Sequence, residues 1–256
     1  MALALHIASN MIRASLFIAA VAAVIPACAA SSGPADELGE ETAADGEEGK
    51  GDAAGAFTFY NLIADNRACS LNSPSGCGIG FFLSRANRST TQCGRGTPQS
   101  QCKITELDWS GTALPPSVAK SYEDRLRDGQ PLLVKGDVVP AANDAGLSFA
   151  VKELWVTNNP EFVEGVFAVV KDNGIRCVRA PCPSLTERRL NSNLSAQITG
   201  LDFDASGAEQ ADIDLAREQL YSADGLVVVG YRDYDSLGGK TRTVNRFFTK
   251  APVPLH

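Results

Sequence analysis

"FYNLIADNRACSLNSPSGCGIGFFLSRAN" (59–87) and "FAVVKDNGIRCVRAPCPSLTERRLN" (167–191) decide the fold, because they are two versions of one pattern. Each opens on a hydrophobic strand and passes through Asp-Asn (65–66 and 172–173). Each then spans two cysteines and closes on Arg-x-Asn or Arg-Leu-Asn. Downstream the match keeps an offset of 94: Ile104-Thr105 and Leu107-Asp108-Trp109 answer Ile198-Thr199 and Leu201-Asp202-Phe203. Leu126, Leu132 and Gly136 answer Leu220, Leu226 and Gly230, while Val151, Leu154 and Trp155 answer Val244, Phe247 and Phe248 at offset 93. A period near 95 residues lies far outside solenoid repeats, so the expectation is two copies of a small domain, 57–160 and 161–251.

Each copy reads as strand, cysteine loop, strand, strand, helix, strand, strand. The first helix begins at Pro115-Pro116-Ser117, where proline costs no intrahelical hydrogen bond. Ala119, Tyr122 and Leu126 line one face, and Gly129 suits a left-handed stop. In the second copy Ser206 and Glu209 form a capping-box pattern, followed by Ile213, Ala216 and Leu220 and a stop at Gly225. Leu132–Val134 and Leu226–Val229 are short apolar runs fit for strands buried on both faces. The predicted fold class is α+β: two tandem strand-rich repeats, each an antiparallel sheet with one helix on it, disulfide-stapled, after a disordered N-terminal linker.

Upstream, Arg13 precedes the uncharged run Ala14–Ala27, too short for a comfortable membrane span and typical of a secretory signal peptide (1–27). The start codon reads as Met1 or Met11. "IPAC" (25–28) resembles the lipobox of bacterial lipoproteins, in which Cys28 is lipidated, with Pro26 departing from the usual small residue. The alternative is cleavage after Ala29, which releases a secreted protein. By the same resemblance, Ala29 after the cysteine points to the outer membrane. Residues 29–56 hold eight acidic side chains against Lys50, a net −7 equal to that of the whole chain. The acidity therefore belongs to this segment (28–56 with the lipidation site), which reads as a disordered stalk reaching roughly 30 Å.

Removing Cys28 leaves six cysteines, an even number in an exported chain, which predicts three disulfides. The duplication selects Cys69/Cys77 and Cys177/Cys182 within the copies, and Cys93/Cys102 around "GRGTPQSQ". Five residues from Cys177 to Cys182 are too many for a Cys-x-x-Cys redox pair, and no paired zinc knuckles are present. Arg176, Arg179 and Pro181 make "GIRCVRAPCPS" (174–184) the candidate interaction loop, with protease inhibition through 176–183 or 69–77 as an alternative to plain binding.

The chemistry is sparse. Histidine occurs only at His6 and His256, which excludes a histidine relay or metal site in the body. No phosphate-binding or dinucleotide loop is present, so no cofactor and no metal is expected. Asp108 and Asp202 are the only candidates for carboxylate chemistry, and a strand-end turn explains them more simply; a carboxylate-only hydrolase is the remotest reading. A near-neutral body without a basic stretch argues against nucleic acid. The run "DNGIRCVRAPCPSLTERRLN" resembles an uncharacterised domain family of bacterial secreted proteins and lipoproteins with a short Cys-to-Cys-Pro loop, in two tandem copies from Phe57 to about Lys250. That resemblance implies export and no assigned activity. The expected protein is a non-catalytic, lipid-anchored envelope protein that binds an unidentified protein or surface ligand.

Overall fold

A computed structural model describes residues 58–66, 80–94, 97–141, 146–157 and 163–251. The signal segment, Cys28, the acidic segment, and Cys69 with Cys77 lie outside the described residues. The first half of the body runs β1 (Phe59–Ala64), β2 (Phe81–Arg85), β3 (Cys102–Ile104), β4 (Glu106–Asp108), α1 (Pro116–Arg127), β5 (Leu132–Pro140) and β6 (Leu147–Val156). The second half returns the same order: β7 (Val166–Asp172), β8 (Leu185–Arg189), β9 (Ser195–Ile198), β10 (Gly200–Asp202), α2 (Gln210–Gln219), β11 (Leu226–Tyr234) and β12 (Lys240–Lys250).

The expectation of two tandem repeats, each with its own antiparallel sheet, is overturned. All twelve strands belong to one sheet, ten of them in the order β3-β2-β1-β5-β6-β12-β11-β7-β8-β9, with β4 and β10 joined to β6 and β12 off this path. The halves meet where Trp155 and Val156 of β6 pair with Lys250 and Thr249 of β12. The physical reason is visible in β5 and β11. Leu132 and Val134 point into one apolar cluster with Leu62, Leu83 and Phe149, while Leu133 points the other way. Leu226 and Val228 likewise face Val170, Ile198 and Phe203. Leu133 and Val227 enter a third cluster with Phe59, Trp155, Val169, Leu190 and Phe248, drawn from both halves. A sheet covered by one short helix leaves this second face open to water, and each half closes it with the other.

Pairing is antiparallel except at two places. At Thr105 and Thr199 the third strand of each half bends, and its continuation joins the last strand in parallel, β4 beside β6 and β10 beside β12. Bulges at Gly136 and Gly230 sit at matching points of β5 and β11. A Cβ at Gly136 would lie 2.0 Å from the Ala150 carbonyl oxygen, and one at Gly230 would lie 1.8 Å from that of Thr243. No other residue fits so close to a neighbouring strand.

Two details of the sequence reading shift. Ser206 does not cap α2. Its hydroxyl donates to Phe203 O (2.7 Å) and accepts from Ala208 N, closing a one-turn 3-10 helix, and α2 starts after Glu209. Strand register also matches Asp65 to Asn173 rather than to Asp172, since Ala64 pairs with Phe81 as Asp172 pairs with Leu185.

Candidate functional site

The loop 174–184 leaves β7 and returns to β8. Its base is tied by Asn173, whose backbone N–H donates to Ser184 O (3.0 Å) and whose side-chain amide donates to Pro183 O (2.8 Å). The Asn173 Oδ1 accepts the N–H of Ile175 (2.9 Å), which turns the chain immediately. Cys177 and Cys182 are bonded, with Cα atoms 5.5 Å apart, and the Ala180–Pro181 peptide is cis. Pro181 lies against the β11–β12 turn, where a Cβ on Gly239 would come within 2.8 Å of the proline Cβ. That turn is itself fixed: Asp235 accepts the N–H groups of Leu237 and Gly239 and the Thr199 hydroxyl. These bonds, the Gly239 N–H first, hold the Asp235 carboxyl below the usual carboxylate range.

The two arginines that the sequence offered have different work. Arg176 grips Asp172 through two N–H···O bonds of 2.9 Å and donates to Ile175 O. The guanidinium lowers the Asp172 pKa, and Asp172 in turn raises that of Arg176. Arg176 thus holds the loop in shape. Arg179 is exposed and takes no such partner among the described residues, and Val178 beside it is 102% exposed. Val178 and Arg179 form the tip, with Pro181 on the buttressed side. A second disulfide, Cys93–Cys102, has Cα atoms 5.4 Å apart and packs on the core of the first half.

Asp108 and Asp202 do not share a cleft. Each is exposed and accepts the N–H two residues on, from Ser110 and Asp204, at the start of its own 3-10 turn. The Ser110 N–H lowers the Asp108 pKa, which suits a turn and not a general acid. Among the described residues no group of three or more His, Cys, Asp or Glu is placed to hold a metal ion.

Two buried polar constellations stand out among the described residues, and the sequence reading assigned neither. Asn87 and Asn191 close β2 and β8 in left-handed conformation (φ 58° and 54°). Asn191 accepts from Phe59 N and donates to Phe59 O and Ala86 O, all at 2.8 Å. Asn87 returns the same set across the molecule: it accepts from Phe167 N (2.8 Å) and donates to Phe167 O (2.7 Å) and Leu190 O (3.0 Å). Each half is therefore stitched to the other by the asparagine that ends the shared Arg-x-Asn pattern. The second constellation is ionic. Glu187 and Arg242, each 1% exposed, are joined Oε2 to Nε at 2.5 Å, and Arg232 bonds Glu187 from the rim. Arg242 also donates to Gly230 O at 2.8 Å.

A protein-family model, domain of unknown function DUF6748, matches residues 58–250 in one span. The chain belongs to the DUF6748 family. The match runs once through both halves, so the DUF6748 domain here is the whole twelve-stranded body and not one of two copies. No curated protein and no solved structure matches this DUF6748 chain.

Proposed function

We propose that this DUF6748 protein is a non-catalytic binding protein outside the cytoplasm, held to the outer membrane by a lipid on Cys28. In this reading the loop 174–184 meets a protein partner. The observation that carries it is the tip: Val178 and Arg179 stand in solvent on a loop fixed by a disulfide, Asn173, the Arg176–Asp172 pair and the turn at Gly239. A loop held in one shape loses little entropy on binding, and fixed exposed side chains have no evident structural purpose. The disulfides favour an oxidising compartment.

Protease inhibition is the weaker reading of the same loop. A segment in a protease cleft lies extended, so six residues would span roughly 16 Å at ~3.3 Å per step. The disulfide holds the Cα atoms of residues 177 and 182 at 5.5 Å, which makes a knuckle rather than a strand.

A photo-cross-linking residue at position 178, in cells that make the protein, tests the binding reading. A discrete adduct is expected from position 178 and none from a control at Leu194. Equal labelling from both sites, or none, would remove it. Palmitate labelling abolished by Cys28→Ser, with loss of the protein from the membrane fraction, is the expected result for the anchor; unchanged membrane retention would overturn it.

A further inference from the structure

The two described disulfides meet solvent differently. Cys102 is 1% exposed and Cys93 half-buried, both against the core of the first half. Cys177 is exposed and Cys182 half-buried, and neither belongs to an apolar cluster. A thiolate exchanges with a disulfide by attacking one of its sulfurs, so access selects the pair that reacts. Charge inside the loop favours the same pair. Arg176 is taken by Asp172, and the acids of the neighbouring turn, Asp233 and Asp235, accept N–H groups of that turn. Arg179, two residues from Cys177 and three from Cys182, has no ion-pair partner among the described residues. A guanidinium so close favours the thiolate form, both of the sulfur that attacks and of the sulfur that leaves.

Opening this bond leaves the base of the loop closed. The Asn173 N–H to Ser184 O, the Asn173 amide to Pro183 O and the Arg176–Asp172 pair involve no sulfur. They keep the two thiols as neighbours, so the ring can close again as an intramolecular reaction. What opening does remove is the constraint across the tip, where Val178 and Arg179 stand.

We propose that Cys177 is a thiol–disulfide exchange site for low-mass thiols, and that its reversible reduction unlocks the tip of the loop 174–184. The thiolate of the small molecule attacks Cys177 Sγ, and the Cys177–Cys182 bond breaks as the new S–S bond forms. The electron pair leaves on Cys182 Sγ, which takes a proton from water. A second small thiol then attacks the sulfur of the first, releasing the Cys177 thiol and the small molecule's own disulfide. Two small thiols are oxidised and one protein disulfide is reduced. Cys177 is thus a target of exchange, not half of a redox pair that acts on other proteins. Control of partner binding by this step rests on the loop being a docking element; the exchange itself does not.

The folded full chain, exposed to reduced glutathione, quenched with acid, alkylated and mapped by peptide mass, tests the site. Cys177 and Cys182 should be labelled about ten-fold faster, or more, than Cys93 and Cys102. A transient glutathione adduct should form on Cys177, and oxidised glutathione should restore the bond. Equal rates for the two pairs, an adduct on Cys182 alone, or failure to reclose would overturn the proposal. Amide exchange from 175 to 182 reads the tip without any partner and should quicken on reduction; unchanged exchange would overturn the unlocking. The position-178 adduct separates the two readings. Its loss on reduction and return on reoxidation supports both. An adduct that persists after reduction keeps the docking reading and overturns the control of binding. No adduct in either state removes the docking reading, while the labelling alone decides the exchange site.

Discussion

Three equivalent positions on one face of the sheet, two of them buried and one at the rim, are filled by opposite chemistry in the two halves. In the first, Leu83, Val138 and Phe149 are apolar, and Phe149 packs edge-on to Tyr60 with ring centroids 5.3 Å apart. In the second, strand register puts Glu187, Arg232 and Arg242 in their places and Ala168 in place of Tyr60. The backbone is common to both, down to the bulges at Gly136 and Gly230. An apolar filling asks only for volume and is forgiving. A buried ion pair asks that every donor meet an acceptor, and its Coulomb gain does little more than offset desolvation. The second half should therefore be the more fragile under single substitutions, although whole swaps should be well tolerated.

The largest effect is expected from Glu187→Leu, which installs the first half's residue and strands Arg242 without its carboxylate. Urea unfolding should show a loss of about 3–5 kcal/mol. Adding Arg232→Val and Arg242→Phe should recover most of it. If the single and triple variants are equally destabilised, packing and not charge governs this region.

Next come the two asparagines, where the halves are alike. Asn191→Ala removes partners from the buried N–H and C=O of Phe59 and places alanine at φ 54°, so a loss of about 2–4 kcal/mol is expected. Asn87 is less buried, and Asn87→Ala should cost less. Glycine at either position relieves the backbone part only; calorimetry of the Ala and Gly variants divides the two contributions.

The disulfides differ more gently. Replacing Cys93 and Cys102 by serine opens a nine-residue separation at the core and should cost about 3 kcal/mol. Replacing Cys177 and Cys182, five apart and outside the core, should cost about 2 kcal/mol or less while freeing the tip, visible as faster amide exchange from 175 to 182. Equal losses would mean that the loop is part of the core after all.

The smallest effect is a titration. The Arg176 guanidinium depresses the Asp172 pKa, so the pair's contribution is present above the unfolded aspartate range near pH 3.9 and is lost as pH falls through the lower folded value. Carboxyl NMR should follow this at Asp172. In Arg176→Gln the Asp172 pKa should rise toward the ordinary value; no change would take Arg176 out of the loop's support.

Much of this was readable before any fold was known. The stripes Ala119/Tyr122/Leu126 and Ile213/Ala216/Leu220 mark the two helices, and Gly129 is the left-handed end of α1, whereas α2 stops at Gln219, before the expected Gly225. Local pairing of Cys93/Cys102 and Cys177/Cys182 followed from the duplication. The single sheet did not, because its joint consists of two residue pairs at the ends of β6 and β12, which no periodicity marks. A clue was nevertheless present: runs buried on both faces, such as Leu132–Val134, need more cover than one helix supplies. At the candidate site, composition offered Arg176 and Arg179 as equals. Only the position of Asp172 four residues earlier distinguished them. Glu187 and Arg242 are far apart in sequence, and only strand register brings them together.

The bends at Thr105 and Thr199 bear on how the protein survives its own synthesis. A twelve-stranded sheet ordinarily ends in open strand edges that invite pairing with other chains, a hazard sharpened by the run Leu226–Val229. Here the path ends in strands of only three and four residues, and each continues at once into a parallel partner inside the same half. Little backbone is left to template a neighbour. A sheet closed at both ends in this way is shielded from growing into fibres.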